Sequence, residues 1–220
     1  MTRVVAVVPV RKGSVRVPNK SMRPFGETTL LKRKIQQLKK VKNLTKIIVS
    51  SDGEGILQAA FELGVGIHKR EPYFADSSCS GTDFFKNLAS SISSDVLVYT
   101  PPTSPFIKSE TIEKAISRYM KEDGFDSVAT VHPVKHHMWI NGHPLNYDIS
   151  SSPNSQDLPE IFRITYGVCV NSNDNILKCG NVVGKSPCFM EIGEIEAVDI
   201  DTMMDFSFAE YLQEKEITDV

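Results

Sequence analysis

The sequence predicts an α/β fold built on a doubly wound, mostly parallel sheet. Three observations carry that prediction. The chain opens on Val4-Val5-Ala6-Val7-Val8, an almost unbroken β-branched run too short for a membrane span, as expected of a strand covered on both faces. Further short apolar runs then alternate with stretches whose apolar residues recur every three or four positions. Finally, 220 residues that are 40% hydrophobic and 24% charged suit one domain with a full core, 1–220.

The elements follow in order. Thr28 or Thr29 can cap a helix running to about Lys40, with Leu31, Ile35 and Leu38 on one stripe. Residues 46–50 (KIIVS) form the next strand, and Ile56, Ala59, Ala60 and Leu63 mark a second helix. A short strand at 64–68, a helix at about 82–91, a central strand at 95–99 and a helix opening at Ser109 continue the alternation, which implies right-handed crossovers. After a strand at 127–131 the rhythm breaks. From His136 to about Phe162, Asn141-Gly142, Pro144 and Pro153-Asn154 are turn formers, so an excursion from the sheet is expected there. Strands return at 165–170, 188–192 and 197–201. A last helix starts at Thr202, whose Thr202-x-x-Asp205 spacing fits a capping box, with Met204, Phe208, Tyr211 and Leu212 inward.

The chemistry concentrates in the loop after the first strand. Six cations (Arg3, Arg11, Lys12, Arg16, Lys20, Arg23) and no carboxylate fall in the first 26 residues, four of them within 11–20. Arginine offers a planar fork to phosphate oxygens and lysine a point charge; Gly13 admits a ligand to the backbone and Ser14 adds a donor. The loop lies at the carboxyl end of a first strand, where open α/β sheets bind ligands, and it matches neither G-x-x-x-x-G-K-[ST] nor G-x-G-x-x-G. A net charge of −2 argues against nucleic acid as the main partner. The four cysteines (Cys79, Cys169, Cys179, Cys188) show no C-x-x-C spacing, and no signal peptide is evident, so free thiols in a reducing cytoplasm are expected. At the other end of the chain, Asp199 and Asp201 lie two apart on an expected strand, so their carboxylates share a face and can hold a hard cation with substrate phosphates; helix capping is the competing role.

Arg11-x-Gly13-Ser14-x-x-Val17-Pro18-Asn19-Lys20 resembles the R-x-G-S-K-x-x-P-x-K-N signature of the sugar-acid cytidylyltransferases, with Val15 in place of the family's lysine and Arg16 beside it. Further segments agree in order. Ser50-Ser51-Asp52 is similar to S-T-D, though Asp52 can equally cap the second helix. Arg70 resembles an arginine implied to contact the nucleotide near its base, and Ser80-Gly81-Thr82 a small-residue turn around cytosine. Tyr99 ends the central strand, and Pro101-Pro102-Thr103-Ser104-Pro105 resembles Q-P-T-S-P, with Pro101 replacing a glutamine implied to touch the sugar acid. Lys135-His136-His137 resembles the E-H-H element; the lysine that follows it in sialic-acid enzymes is replaced at about Ile140. Leu158-Pro159-x-x-Phe162-Arg163 matches L-P-x-x-F-R with one extra residue before Gly167, and Val198-Asp199-Ile200-Asp201-Thr202 matches V-D-I-D-T.

The resemblance implies a Rossmann-like nucleotidyltransferase fold with a dimerisation and acceptor excursion at about 136–162. It implies transfer of CMP from CTP to an anionic acceptor, a sialic acid-like nonulosonate or related sugar acid, with release of pyrophosphate. Arg11, Arg16 and Lys20 would serve the triphosphate and Asp199 and Asp201 a Mg²⁺ ion. Gly13, Ser14, Asn19, Asp52, Arg70, Ser80, Gly81, Thr82, Thr103 and Ser104 would hold the nucleotide, while Tyr99, Pro101, Lys135, His136, His137 and Arg163 would face the acceptor. A phosphonate or ketodeoxy-sugar acceptor, and a catalytically silent nucleotide-binding homologue, are the alternatives.

Overall fold

The computed structural model describes residues 2–121 and 124–217. The chain runs β1 (Val4–Pro9), β2 (Pro24–Phe25), β3 (Thr28–Thr29), α1 (Leu30–Lys39), β4 (Lys46–Ser51), α2 (Glu54–Glu62), β5 (Gly66–Lys69), α3 (Gly81–Ser91), β6 (Val96–Tyr99) and α4 (Ser109–Tyr119). It continues with β7 (Ser127–Pro133), β8 (Trp139–Ile140), β9 (His143–Pro144), β10 (Phe162–Ser172), α5 (Asn173–Cys179), β11 (Pro187–Glu191) and α6 (Met203–Glu214).

Seven strands form one sheet in the order β11-β7-β10-β6-β1-β4-β5. β1 pairs in parallel with both β4 and β6, and Val5, Ala6, Val7 and Val8 are all at or below 2% exposure because helices cover both faces. One core cluster joins alternate β1 residues Ala6 and Val8 to Leu31, Ile35, Ile56 and Ile112 of α1, α2 and α4. The other joins Val5 and Val7 to Leu88 and Ile176 of α3 and α5. Because β4 and β6 flank β1 on opposite sides, strand order reverses at β1/β6, and the loops leaving these strands open a crevice there.

Thr29 caps α1, its side chain accepting from Lys32 N, and the capping box at Thr202 and Asp205 is formed in full. One strand runs against the mostly parallel sheet, and two expectations, the strand at 197–201 and the inward face of α6, are corrected. β10 is antiparallel to β6 and β7, because the excursion returns the chain without a crossover helix to the end where β7 leaves the sheet, Phe162 opposite Pro133. Residues 197–201 join no strand; they lie over the loop after β6, tied by Ile200 N donating to Thr103 O at 2.9 Å. On α6 the inward residues are Phe206, Ala209 and Leu212, while Met204 is 81% exposed and Phe208 and Tyr211 are turned out too. That helix is apolar on two faces. Phe206 decides its docking, setting its ring edge-on to Phe25 at 5.8 Å.

The stretch expected to leave the sheet does so. Its β8–β9 hairpin turns at Asn141 and Gly142, both at positive φ, and carries Trp139, Ile140 and Leu145 about half exposed. No helix among the described residues is long and apolar enough to cross a membrane.

Candidate active site

A cleft of about 360 Å³, within the size range of small-molecule sites, sits at the carboxyl ends of β1 and β6. Pro9, Arg11, Arg70, Tyr99, Pro101, Thr103 and Asp199 line it, so six of the residues singled out by sequence converge there. Phe74, Asp76, Cys79, Phe84 and Tyr166 complete it.

Arg70 leaves the end of β5 and turns inward. It is only 4% exposed; its Nη2 donates to Ser50 O at 2.5 Å and its Nε to Ser50 Oγ at 3.3 Å, and its guanidinium lies 5.0 Å from the centre of the Phe84 ring. Burial lowers its pKa, with Asp52 opposing that shift. Asp52 does not cap α2, whose N-cap is Gly53; instead its Oδ1 accepts from Lys12 N at 2.8 Å and pins the basic loop to the end of β4.

The loop then curls over residues 197–201. Arg16 Nη2 lies 2.9 Å and Lys20 Nζ 3.7 Å from Asp201 Oδ1, and Lys20 also donates to Ile200 O at 2.5 Å. Desolvation lowers the Lys20 pKa against the attraction of Asp201 and Asp199. Val15, in place of the family's lysine, is 84% exposed, and Arg16 beside it is the cation that pairs with Asp201. Asn19 adopts φ +54 and its carbonyl accepts from Met22 N and Arg23 N. Its role is the turn that presents Lys20, on the side facing α6 rather than the cleft.

Asp199 is the half-buried acid. Burial raises its pKa, a hydrogen bond from Thr103 lowers it, Asp201 raises it, and Lys20 and Arg163 lower it. Its Oδ1 is buried with no hydrogen-bond partner among the described residues. A buried carboxylate oxygen left open beside a second carboxylate suits a hard cation completed by phosphate oxygens. Arg163 stands nearby with Nη2 donating to Ala197 O at 3.0 Å, one edge of its fork held by backbone.

Several expected contacts are not brought together. The Ser80 hydroxyl caps α3, accepting from Asp83 N and donating to Asp83 Oδ2, and Gly81 is exposed on the helix's first turn. Thr82 faces α5: a Cβ on Gly180 would lie 2.5 Å from its methyl. Of that turn, Cys79 reaches the cleft. Ser104 is buried with its Oγ unpartnered among the described residues, and Gly13 and Ser14 lie on the outer arc of the loop without lining the cleft. Lys135, His136 and His137 are exposed on the excursion; His137 Nε2 contacts Pro153 O at 3.0 Å and its ring stands edge-on to Tyr147.

Phe74, Asp76, Phe84 and Tyr166 in the cleft, and Lys34 beneath it, escaped the sequence reading. Tyr166 lines the cleft from a bulge in β10. Lys34 lies wholly buried beneath the site, its Nζ donating to Ser104 O at 2.9 Å. With Arg33 Nε and Gln37 Nε2, each 2.7 Å from Pro105 O, it clamps the loop after β6 onto α1. Burial and the like charge of Arg33 bring its pKa down to about 7, while Asp199 opposes the shift. Its signal was visible: a lysine at an inward position of the Leu31–Leu38 stripe.

A basic loop closed on Asp201, with Arg11, Arg70 and Asp199 in the cleft beside the switch point, suits transfer of a nucleotidyl group. By fold and site the molecule is a nucleotidyltransferase. A family model described as cytidylyltransferase matches residues 5–217, and the chain belongs to that family. It is 23% identical over 230 residues to post-translational flagellin modification protein B of Campylobacter coli, covering 96% of this chain and 95% of that one. It is 26% identical over 226 residues to CMP-N,N'-diacetyllegionaminic acid synthase of Legionella pneumophila, covering 96% and 97%. A solved structure titled CMP:2-keto-3-deoxy-manno-octonic acid synthetase complexed with CTP superposes with a TM-score of 0.69 at 15% identity, over 98% of this chain and 100% of that one, which shows the shared fold. Against some further relatives the match spans about half of the relative's length. Family membership makes the protein a CTP-dependent nucleotidyltransferase.

Proposed function

We propose that the protein joins CTP to an anionic sugar acid, giving the CMP-acid and pyrophosphate. The observation that carries this reading is the closure of the basic loop on Asp201, two residues from Asp199, which lines a cleft together with Arg11 and Arg70. Arg70, stacked on Phe84, marks the nucleoside end. Arg11, Arg16 and Lys20 neutralise the triphosphate and orient its α-phosphorus for in-line attack. The acceptor's hydroxyl oxygen forms the new bond to that phosphorus as the α–β bridge breaks; pyrophosphate departs toward the cations and the hydroxyl proton is released. Arg163, with one fork edge on Ala197 O, offers the other to the acceptor's carboxylate.

Asp199 and Asp201 are the residues that would hold Mg²⁺. When bound, that ion supplies charge neutralisation at the phosphates. The half-exposed Trp139, Ile140 and Leu145 of the hairpin support a homodimer built on 136–162, in which Lys135, His136 and His137 would reach a neighbour's cleft. A cytoplasmic, CTP-supplied setting agrees with the free thiols.

The test is pyrophosphate release from CTP with a panel of acids: N,N'-diacetyllegionaminate, N-acetylneuraminate and 3-deoxy-manno-octulosonate. Turnover with at least one, lost on omitting Mg²⁺, is expected. A protein that CTP stabilises against heat but that releases nothing with any acid would be a binding protein instead.

A further inference from the structure

The register of β10 against β7 shifts between Ile164 and Cys169, and inside this bulge Tyr166 adopts φ +54. A bulky aromatic residue seldom takes that left-handed conformation. Buried threonines of β7 and β10, and one just past the end of β6, hold it there. Thr130 Oγ1 accepts from Val168 N at 3.1 Å and pairs with Thr165 Oγ1 at 2.8 Å; Thr165 Oγ1 accepts from Gly167 N at 3.3 Å; Thr100 Oγ1 donates to Gly167 O at 2.7 Å. The hydroxyls take over the bonds that the ladder gives up, so the bulge is a built feature. Its product is one ring aimed at the cleft, edge-on to Tyr99 at 6.3 Å.

The position of that ring is informative. Arg70, Phe74 and Phe84 occupy the β5 and α3 side of the crevice, whereas Tyr166 enters from β10 across the switch point, three residues along the strand from Arg163. With Tyr99 and Pro101 it makes an aromatic and apolar wall beside Asp199. Away from the two phenolic hydroxyls, the ring faces and the proline of this wall offer no hydrogen bonds, and a substrate hydroxyl buried against them would go unpaired.

We infer that Tyr166 determines acceptor specificity: with Tyr99 and Pro101 it selects an acid that turns a deoxygenated or N-acylated face toward this wall while Arg163 takes its carboxylate. This deepens, and rests on, the reading of the cleft as a sugar-acid cytidylyltransferase site.

The experiment is steady-state pyrophosphate release by the full chain with CTP and the same three acids, for the wild type, Tyr166→Phe and Tyr166→Gly. Glycine accepts positive φ, so this variant removes the ring without opposing the bulge. Wild type should favour the doubly N-acylated legionaminate. Tyr166→Gly should raise the KM for that acid about tenfold or more, leave the KM for CTP within about twofold, and narrow the preference among acids; Tyr166→Phe should stay within about threefold of wild type. If the glycine variant fails to fold, Tyr166→Asn, which also tolerates positive φ, takes its place. An unchanged order and spread of acids in the ring-less variant, or a parallel rise in the KM for CTP, overturns the role of Tyr166 alone. Wild type that binds CTP yet turns over no acid overturns the underlying reading, and this inference with it.

Discussion

Replacing Lys34 with methionine should make the protein more stable in acid and neutral solution, and the gain should vanish in alkali. The ammonium is 0% exposed, donates to Ser104 O, and has its pKa brought from 10.5 down to about 7. Between those two values the unfolded chain holds a proton that the folded chain has released, so the lysine's penalty is complete below about pH 7 and shrinks as pH rises toward 10.5. At 1.36 kcal/mol per pH unit the full penalty is on the order of 5 kcal/mol. Methionine fills a similar volume without charge but leaves Ser104 O unsatisfied, at about 1–3 kcal/mol. The net gain near pH 6 is therefore about 2–4 kcal/mol, and near pH 9.5 it is about zero or slightly negative. For a chain of this size each kcal/mol moves the melting temperature by about 2–4 °C. Thermal denaturation of both proteins from pH 6 to 9.5 measures the difference directly. A destabilised Lys34→Met at pH 6, or a difference independent of pH, would refute the reasoning.

Arg11→Ala and Lys20→Ala should each cut kcat/KM by about ten- to a hundredfold, corresponding to roughly 1.5–3 kcal/mol for a lost charge-assisted contact, with melting temperatures near wild type; unchanged kinetics in both would return the loop to plain surface. Light scattering at micromolar concentration should report a homodimer, and Trp139→Asp should shift it toward monomer; a monomeric wild type counts against the hairpin interface. N-acetylneuraminate should be a poor acceptor, by about two to four powers of ten, because Pro101 in the cleft and Ile140 on the hairpin cannot supply the hydrogen bonds of a glutamine and a lysine. A specificity constant within tenfold of the best acid tested would exclude that.

Much of this architecture could be read from residue patterns because local and global preferences agree. Val4 to Val8 is buried on both sides, Thr29 and Thr202 cap the helices they precede, and Arg11 of the basic loop lines the cleft at the switch point. The misreadings share a cause. Residues 197–201 have the apolar spacing of a strand, but Ala197 joins the main core while Ile200 joins the small cluster around Phe25 and Phe206, and neither fact is local. The direction of β10 depends on how the excursion returns. Ser80 and Thr82 carry donors of the right kind, yet helix capping and the α5 contact claim them first. Tyr166 left one trace, the extra residue before Gly167, whose meaning emerges only once the bulge is seen.

The ion pairs of Arg16 and Lys20 with Asp201 have a kinetic consequence. The carboxylate holds both cations as a phosphate could, so the loop is already folded around an anion. Arrival of the triphosphate is then an exchange of counter-ions rather than the capture of bare, solvated cations. On the function proposed above, the exchange would release Asp201 as the phosphates arrive and make CTP association less sensitive to ionic strength than two unpaired charges would be.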